Sequence, residues 1–215
     1  MGKASRRMRR AVPEQLRPGS RSRSRTVPRR WLIIGVPLAL LVALAAVVVG
    51  GHHTNATSRS PVSMPVTGAS APPGDYTLVD GRSIKVVSSL RGRPALIWFV
   101  STWCSSCEAG TQVMAQNIAA FSRHHVRVVE LELARDLGQP GPSIASFGQS
   151  LAARAYRNPD WSWGVASSPM TTAYDPRAYL DVYYLLNARG QIVYINGSPS
   201  STMGGLLNAI GTLGA

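Results

Sequence analysis

The chain has 215 residues and a formal net charge of +13. Eleven basic side chains and one acidic side chain lie in the first thirty residues, which leaves a net charge of only +3 for the rest of the chain. This distribution excludes a folded domain that is basic throughout, so a nucleic-acid-binding role is open only to the first thirty residues.

An uncharged apolar stretch of 21 residues, 31–51, follows the basic segment directly. A helix of this length, at about 1.5 Å per residue, reaches roughly the 30 Å thickness of a bilayer core. Trp31 lies at the boundary, where aromatic side chains prefer to sit, and basic residues are held on the cytoplasmic side of a membrane. The sequence therefore predicts a single-pass cell-membrane protein with a cytoplasmic tail (1–30), a transmembrane helix (31–51) and everything after Gly51 outside the cytoplasm.

Other interpretations of this end of the chain stay open. Arg/Ser runs such as RSRSR also bind the phosphates of nucleic acids, although membrane topology and attraction to anionic lipids explain them more simply. A cleaved signal peptide fits less well, because the apolar run is long for such a segment and no small-x-small cleavage site follows it. Arg29-Arg30 before Trp31 loosely resembles a twin-arginine export signal, which leaves the outward destination unchanged.

Two regions of different composition follow the apolar stretch. Residues 52–74 are rich in Ser, Thr, Pro and Ala and have almost no large apolar side chains, so we predict a disordered linker. Residues 75–215 have the right length for one domain with its own core. No internal repeat is present in the sequence.

The domain begins with strand-like patterns. Residues 76–79 and 83–86 flank Asp80-Gly81, which predicts a β-hairpin with a type I′ turn. Residues 95–100, ALIWFV, are continuously apolar, which predicts a buried strand in a sheet covered on both faces.

Helix-like and strand-like patterns alternate after that strand. A helix ending near Arg123 is predicted by apolar residues at helical spacing, and we expect Trp161 and Trp163 to cover an edge of the sheet. The remaining predictions are a strand over 126–133, a helix over 143–156, a hairpin of strands 182–186 and 191–195, and a closing helix over 200–213. This order fits an α/β sandwich around a mixed sheet.

The only two cysteines, Cys104 and Cys107, lie where the predicted central strand gives way to a helix. Cysteine reacts as a thiolate, and the unpaired N–H groups and partial positive charge of a helix N-terminus stabilise that anion. Cys107 lies within the first helical turn, on the same side as Cys104, so the two sulfurs can close a disulfide. The spacing predicts a redox couple in which Cys104 attacks a partner disulfide and Cys107 resolves the mixed intermediate.

Four stretches of the domain also resemble one known family. They are Asp80-Gly81-Arg82, the LRGRP before the apolar strand, Ser101-Thr-Trp-Cys-Ser-Ser-Cys107, and YLLNARGQI near the C-terminus. Together they resemble the membrane-anchored thioredoxin-like proteins of the TlpA/ResA type over residues 75–215, most strongly over 76–107. The resemblance implies a thioredoxin-like α/β fold, with a mixed central sheet flanked by helices and preceded by one transmembrane helix.

The same resemblance implies an activity. Proteins of this type are thiol-disulfide oxidoreductases that need no cofactor and exchange thiols with protein cysteines outside the membrane. Their substrates often belong to the maturation of cytochrome c or of other exported proteins. A membrane electron-transfer partner would then reset the couple.

Departures from the family pattern lie around the cysteines. Asp181 stands just before the last hairpin, where the family usually has a cis-proline; a carboxylate there either disfavours the thiolate by like charge or accepts and supplies protons during exchange. Ser105 and Ser106 place no histidine cation between the cysteines, so we predict a less oxidising couple. The glutamate that the family usually has two positions after the second cysteine is missing, which removes one candidate for proton handling. Trp103, next to Cys104, is predicted to face the substrate.

Two other functions compete with thiol exchange. A structural disulfide in a redox-inactive binding domain is one, although a bridge that closes so short a loop removes little unfolded-chain entropy. Cu(I) handling is the other, because two thiolates select soft ions. His124 and His125 lie about 25 Å from the cysteines along the predicted helix, and no second Cys or His pair has ligand spacing, so we predict no metal site.

Overall fold

The computed structural model describes residues 63–213 of the chain. The predicted cytoplasmic tail, the predicted transmembrane helix at 31–51 and the first part of the predicted linker lie outside the described residues. Between residues 63 and 213, no helix combines the length and the apolar character that crossing a membrane requires.

A mixed sheet of seven strands forms the centre of the described domain. In chain order the strands are Asp75–Leu78 (β1), Ser83–Lys85 (β2), Ala95–Val100 (β3), Arg127–Glu132 (β4), Trp161–Ala166 (β5), Val182–Leu186 (β6) and Ile192–Gly197 (β7). Their spatial order is β2-β1-β5-β4-β3-β6-β7, in which β3, β4 and β5 are parallel neighbours and the other pairs are antiparallel. β4 therefore lies in the middle of the sheet.

Helices cover both faces of the sheet. The α-helices are Val86–Ser89 (α1), Ser105–Arg123 (α2), Ile144–Ala152 (α3), Ser168–Tyr174 (α4) and Pro199–Gly211 (α5). A left-handed turn spans Ala134–Gly138, and a short 3-10 segment spans Ala153–Arg157. α2, α3 and α5 enclose one core, to which they contribute Phe121, Phe147 and Leu206. α1 and α4 enclose a second core, to which they contribute Val86 and Met170. The domain is therefore a three-layer α/β sandwich.

β3 confirms the prediction of a strand buried on both faces. All six of its residues are fully buried. Its even-numbered residues join the core beneath α2, and its odd-numbered residues join the core beneath α4. Because successive side chains of a strand point to opposite faces, a strand between two cores needs an apolar side chain at every position.

Several other predicted elements are present. α2 ends at Arg123, β4 lies within the predicted strand, and β6 and β7 form the predicted hairpin. The helix predicted over 143–156 is divided into α3 and a 3-10 segment, because Ala153 has a φ of 48°, which an α-helix cannot contain.

The patterns in the sequence do not predict β5 or α4. The expectation that Trp161 and Trp163 cover a sheet edge is wrong, because both lie in β5, between β1 and β4, and are only 3% exposed. Gly164 interrupts the strand pattern, and its lack of a side chain lets β1 approach: a Cβ there would lie 2.6 Å from the carbonyl oxygen of Thr77.

The turn between β1 and β2 is not the predicted type I′. That turn needs a positive φ at both central residues. Here only Gly81 has a positive φ, of 87°, and its N–H donates to the carbonyl of Leu78 at 2.8 Å. The pattern is that of a type I turn followed by a left-handed glycine, which makes a three-residue hairpin loop.

The end of the predicted linker, residues 63–74, lies along the domain. Ser70 bridges to Gln191, and the N–H of Ala71 donates to the carbonyl of Gly190 at 2.9 Å. Met64 packs against the second core. Backbone hydrogen bonds hold this segment against the domain. Because every residue type except proline can donate such a bond, amino-acid composition does not predict them. The packed part of the chain therefore starts before the predicted boundary at residue 75.

Candidate active site

Cys104 lies at the N-terminus of α2, on the short loop that leaves β3. It is the N-cap of the helix, and its Sγ accepts a hydrogen bond from the N–H of Cys107 at 3.3 Å. The Ser106 hydroxyl lies 3.1 Å from the same sulfur. A helix presents its unpaired N–H groups and its positive dipole end to an atom in this position. The structure thus places Cys104 where the sequence predicted an attacking sulfur.

Cys107 lies one turn further along α2 and is fully buried. Burial raises the pKa of its thiol, and the hydrogen bond to Cys104 and the negative charge of Asp181 raise that pKa further. Both cysteines are free thiols in the structure. The two sulfurs therefore differ in environment, because one caps the helix and the other needs a base before it can react.

Asp181 is brought to the cysteines by the loop that enters β6. Its carboxylate is 1% exposed, and its Oδ1 accepts a hydrogen bond from the indole N–H of Trp98 at 2.9 Å. Its Oδ2 has no hydrogen-bond partner among the described residues. Burial raises the pKa of Asp181, and the indole of Trp98 and the nearby hydroxyls of Ser106 and Ser198, which lie beyond hydrogen-bond geometry, oppose that rise. A buried carboxylate oxygen without a donor is a candidate proton acceptor.

A second buried carboxyl group, that of Glu130, lies in the middle of β4. It is fully buried, and its Oε1 lies 2.8 Å from the Thr111 hydroxyl. The same hydroxyl lies 2.9 Å from the carbonyl oxygen of Cys107. A hydroxyl has one proton to donate, and a carbonyl can only accept. The Thr111 hydroxyl can donate to Glu130 or to the Cys107 carbonyl, and it can satisfy both contacts at once when Glu130 is protonated and donates to it.

The electrostatic surroundings of Glu130 favour its protonated form. Burial raises the pKa of Glu130 well above its usual value, and the charge of Asp181 raises it further, while Thr111 and Trp161 oppose the rise. Burial and the charge of Asp181 therefore favour the protonated form of Glu130, and its contact with Thr111 links β4 to α2.

Trp103 is the exposed side chain next to the reactive sulfur. It is 39% exposed, and its indole N–H donates to the carbonyl oxygen of Asp136 at 2.9 Å. The N–H and the hydroxyl of Thr102 donate to the two carboxylate oxygens of Asp136 at 2.9 and 2.6 Å. Asp136 thus binds both residues that precede Cys104.

The sequence patterns did not predict four residues of this site: Thr102, Thr111, Glu130 and Asp136. Asp136 is 34 positions from Thr102, and Glu130 is 19 positions from Thr111, so no local pattern connects either pair. The one available signal was Glu130, an acidic residue in the strand that follows the cysteine helix. An acidic residue that alternates with apolar ones is equally typical of an ordinary strand with one solvated face, so this pattern did not identify Glu130 as a site residue.

Metal-ligating side chains are not grouped near the cysteines. In residues 63–213, no three His, Cys, Asp or Glu side chains are placed to hold one metal ion. His124 follows the C-terminal end of α2, and Cys104 caps its N-terminus, so the 19 residues of the helix separate them by about 28 Å. The structure does not bring His124 and His125 to the cysteines.

Comparison with known proteins gives a partial match in sequence. No protein-family model matches the chain. The thiol:disulfide interchange protein DsbE of Pseudomonas fluorescens biotype C is 32% identical over 88 residues, which are 40% of this chain and 46% of that protein. The match therefore spans about half the length of this curated relative.

Comparison with solved structures gives matches that cover about two thirds of the chain. A Chlorobium tepidum protein assigned as thiol:disulfide interchange protein DsbE has a TM-score of 0.53 at 17% identity, covering 69% of this chain and 99% of that one. A SCO1/SenC family lipoprotein from Bacillus anthracis has a TM-score of 0.53 at 16% identity, covering 69% and 96%. At these identities the likeness establishes the fold, which is a thioredoxin-like α/β fold. The relatives named as DsbE are, by that name, proteins of thiol-disulfide interchange.

Proposed function

We propose that this protein is a thiol-disulfide oxidoreductase that acts on protein cysteines through Cys104 and Cys107. The observation that carries the proposal is the position of the two sulfurs at the start of α2. Cys104 caps the helix, and Cys107 is buried one turn later with its N–H on the first sulfur. The similarity to DsbE supports the class of reaction.

Exchange takes two substitutions at sulfur. The Cys104 thiolate attacks one sulfur of a substrate disulfide, forms a mixed disulfide and releases a substrate thiolate, which takes up a proton. Cys107 then loses its proton and attacks the sulfur of Cys104, and the second substrate thiolate leaves. The substrate gains two electrons and two protons, and the Cys104/Cys107 pair loses them.

Asp181 is the proposed proton acceptor for Cys107 in the second step. Its Oδ2 has no hydrogen-bond partner among the described residues, and its charge acts on the Cys107 thiol. Glu130 is a poorer candidate for this role, because burial and the charge of Asp181 favour its protonated form. The two buried carboxyl groups therefore have different tasks.

Residues 31–51 anchor the protein in this proposal, and the domain lies outside the cytoplasm, as in the TlpA/ResA type. The apolar stretch and the basic residues before it support this arrangement. The substrates are then cysteines of exported proteins, including those of cytochrome c maturation. A membrane electron-transfer partner restores the couple after each turnover.

The first test is a redox titration of the purified full-length chain in glutathione and dithiothreitol buffers, with free thiols counted by alkylation and mass. An exchange enzyme gives a reversible two-electron couple between about −120 and −300 mV. A disulfide that stays closed far below this range, or thiols that never pair, contradicts the proposal and favours a structural bridge or a Cu(I) module.

Cysteine variants test the order of the two sulfurs. Cys104→Ser should abolish reduction of a protein disulfide, and Cys107→Ser should accumulate the mixed disulfide through Cys104, visible as an added mass. Unchanged activity in Cys104→Ser would remove the mechanism.

A further inference from the structure

The segment that follows β4 has an unusual backbone. Arg135, Asp136 and Leu137 are consecutive non-glycine residues with φ values of 55°, 50° and 56°, in the left-handed region. L-residues rarely adopt this region one after another, because the Cβ comes too close to the following carbonyl. Such a backbone persists only where its surroundings hold it.

The contacts that hold this segment converge on the loop before Cys104. Both carboxylate oxygens of Asp136 accept hydrogen bonds from Thr102, and the carbonyl of Asp136 accepts from Trp103. Asp136 is 6% exposed, so water competes little for these bonds. One residue of the strained turn therefore fixes both residues that precede the reactive sulfur.

The next part of the same loop closes over the Asp136 carboxylate. A Cβ at Gly141 would lie 2.1 Å from the Thr102 hydroxyl and 2.5 Å from Oδ2 of Asp136. Only a glycine backbone fits against this pair. At the other end of the segment, the N–H of Ala134 donates to the Thr171 hydroxyl at 3.0 Å, which ties the turn to α4.

We infer that Asp136 is a positioning residue that holds Trp103 ready as a docking surface for the polypeptide of a protein disulfide. The inference rests on the proposed function. A tryptophan at 39% exposure beside Cys104 offers a flat apolar face to the residues that flank a substrate cysteine. Its indole is fixed by the bond to the backbone carbonyl of Asp136, so binding does not have to order it. The Asp136 carboxylate holds that carbonyl in place through its two bonds to Thr102.

A small disulfide touches the sulfur alone and gains nothing from this surface. Loss of Asp136 should therefore affect protein substrates and small disulfides differently. The test uses the full-length chain with two probes, the disulfides of insulin and glutathione disulfide. Asp136→Ala should raise the KM for insulin by roughly three- to tenfold, the range that freeing one large side chain implies. The rate with glutathione disulfide should change by less than about twofold, because no docking surface is used.

Further variants show whether Asp136 acts through Trp103. In a Trp103→Phe background, Asp136→Ala should add no further increase in KM, since phenylalanine has no indole N–H through which Asp136 could hold the ring. Thr102→Val removes one of the two bonds to the Asp136 side chain and should move KM in the same direction, whereas Thr102→Ser keeps the hydroxyl and should restore it. Asp80→Ala, at an exposed carboxylate in the β1–β2 turn, is the matched control.

A spectroscopic readout separates positioning from general loss of structure. The indole N–H resonance of Trp103, assigned by its absence in Trp103→Phe, should exchange with water faster in Asp136→Ala. Equal slowing with both probes, no change with insulin, or an additive effect in the Trp103→Phe background would overturn the inference. Should Asp136→Ala fail to fold, Thr102→Val with its Thr102→Ser partner decides the same question. Wild-type protein that exchanges neither disulfide would instead remove the proposed function itself.

Discussion

At the scale of single residues, two buried carboxyl groups distinguish this site. Glu130 and Asp181 are both buried near Cys107, and each has one oxygen without a geometric hydrogen-bond partner among the described residues. Burial of an ionised carboxylate is costly unless donors surround it, so such a group either takes up a proton or raises the pKa of its acidic neighbours. The contacts of Glu130 favour the first outcome, and those of Asp181 favour the second.

Asp181→Asn should make Cys107 easier to ionise. The asparagine side chain keeps the shape of Asp181 and the oxygen that accepts from Trp98. The substitution removes the negative charge that raises the pKa of Cys107. In a Cys104→Ser background, the alkylation rate of Cys107 at pH 9 should rise several-fold, because the rate follows the thiolate fraction. Asp175→Asn is the control, because Asp175 caps the C-terminal end of α4, whose residues Met170 and Tyr174 pack on the other face of the sheet. An alkylation rate that does not respond to Asp181→Asn would show that this charge does not act on Cys107.

Glu130 should make the stability of the protein depend on pH. Because its pKa is raised in the folded protein, Glu130 keeps a proton there that the unfolded chain releases above pH 4.5. The contribution of Glu130 to the free energy of unfolding is therefore fully present below pH 4.5. It is lost as the pH rises toward the folded-state pKa. Glu130→Gln mimics the protonated acid and can still donate to Thr111. In urea unfolding, Glu130→Gln should match the wild type at pH 4.5 and exceed it at pH 8 by about 1 kcal/mol or more.

The comparison of the two pH values is the control for this prediction. A Gln side chain that merely packed differently would shift stability by the same amount at both. A variant that is less stable than the wild type at pH 8 would mean that Glu130 is ionised in the folded protein.

At the scale of elements, close approach and local strain position the site. α2 reaches Trp98 of β3 through Gly110, where a Cβ would lie 2.8 Å from the indole ring. The left-handed turn at Arg135–Leu137 costs roughly 1–2 kcal/mol for each non-glycine residue. The helix and the turn are therefore both held against the sheet by contacts that a small backbone change would disturb.

Two helical glycines give a matched test of this packing. Gly110→Ala should destabilise the protein by about 1–3 kcal/mol, since the new methyl group overlaps Trp98. Gly204→Ala in α5 meets no atom within 4 Å and should stabilise it by about 0.5–1 kcal/mol, because alanine lowers the entropy of the unfolded chain. Urea unfolding measures both. If the two substitutions have the same sign, close packing of α2 on Trp98 is not what Gly110 provides.

At the scale of the whole molecule, the folded unit includes chain that composition assigned to the linker. The segment from residue 63 runs beside the turn before β7, and the Pro72 carbonyl accepts a hydrogen bond from the Tyr174 hydroxyl at 2.8 Å. Strand-like pairing of a segment with few apolar side chains depends on the surface that it meets.

Hydrogen exchange tests whether this segment is part of the folded unit. The amide of Ala71 donates to Gly190 and should exchange at least roughly tenfold more slowly than the amide of Ser70, which makes no backbone hydrogen bond in the described part of the chain. The amide of Gly68, which donates to Ile192, should also be protected. Fast exchange at all three positions would return the segment to the linker.

Local patterns in the sequence were sufficient for the elements that carry the cysteines. The unbroken apolar run predicted that β3 is a buried strand, and the helical spacing of apolar residues predicted α2. The spacing of Cys104 and Cys107 predicted that both sulfurs lie in one helical turn. These features depend on neighbours within a few positions, which is the range over which periodicity operates. β5 was not predicted, because Ser162 and Gly164 interrupt its apolar pattern. Gly164 has no side chain because β1 passes close to it at Thr77, 87 positions away in the sequence.

The surroundings of the cysteines were decided only by the tertiary structure. The bonds Trp98–Asp181, Thr102–Asp136 and Thr111–Glu130 join residues 83, 34 and 19 positions apart. Whether a carboxyl group is solvated, bonded or protonated depends on which side chains the fold brings around it. The sequence alone determined that a pair of cysteines stands at the start of a helix beside a buried strand. The tertiary structure decided which groups surround that pair, because burial and hydrogen-bond partners are properties of contacts between distant parts of the chain.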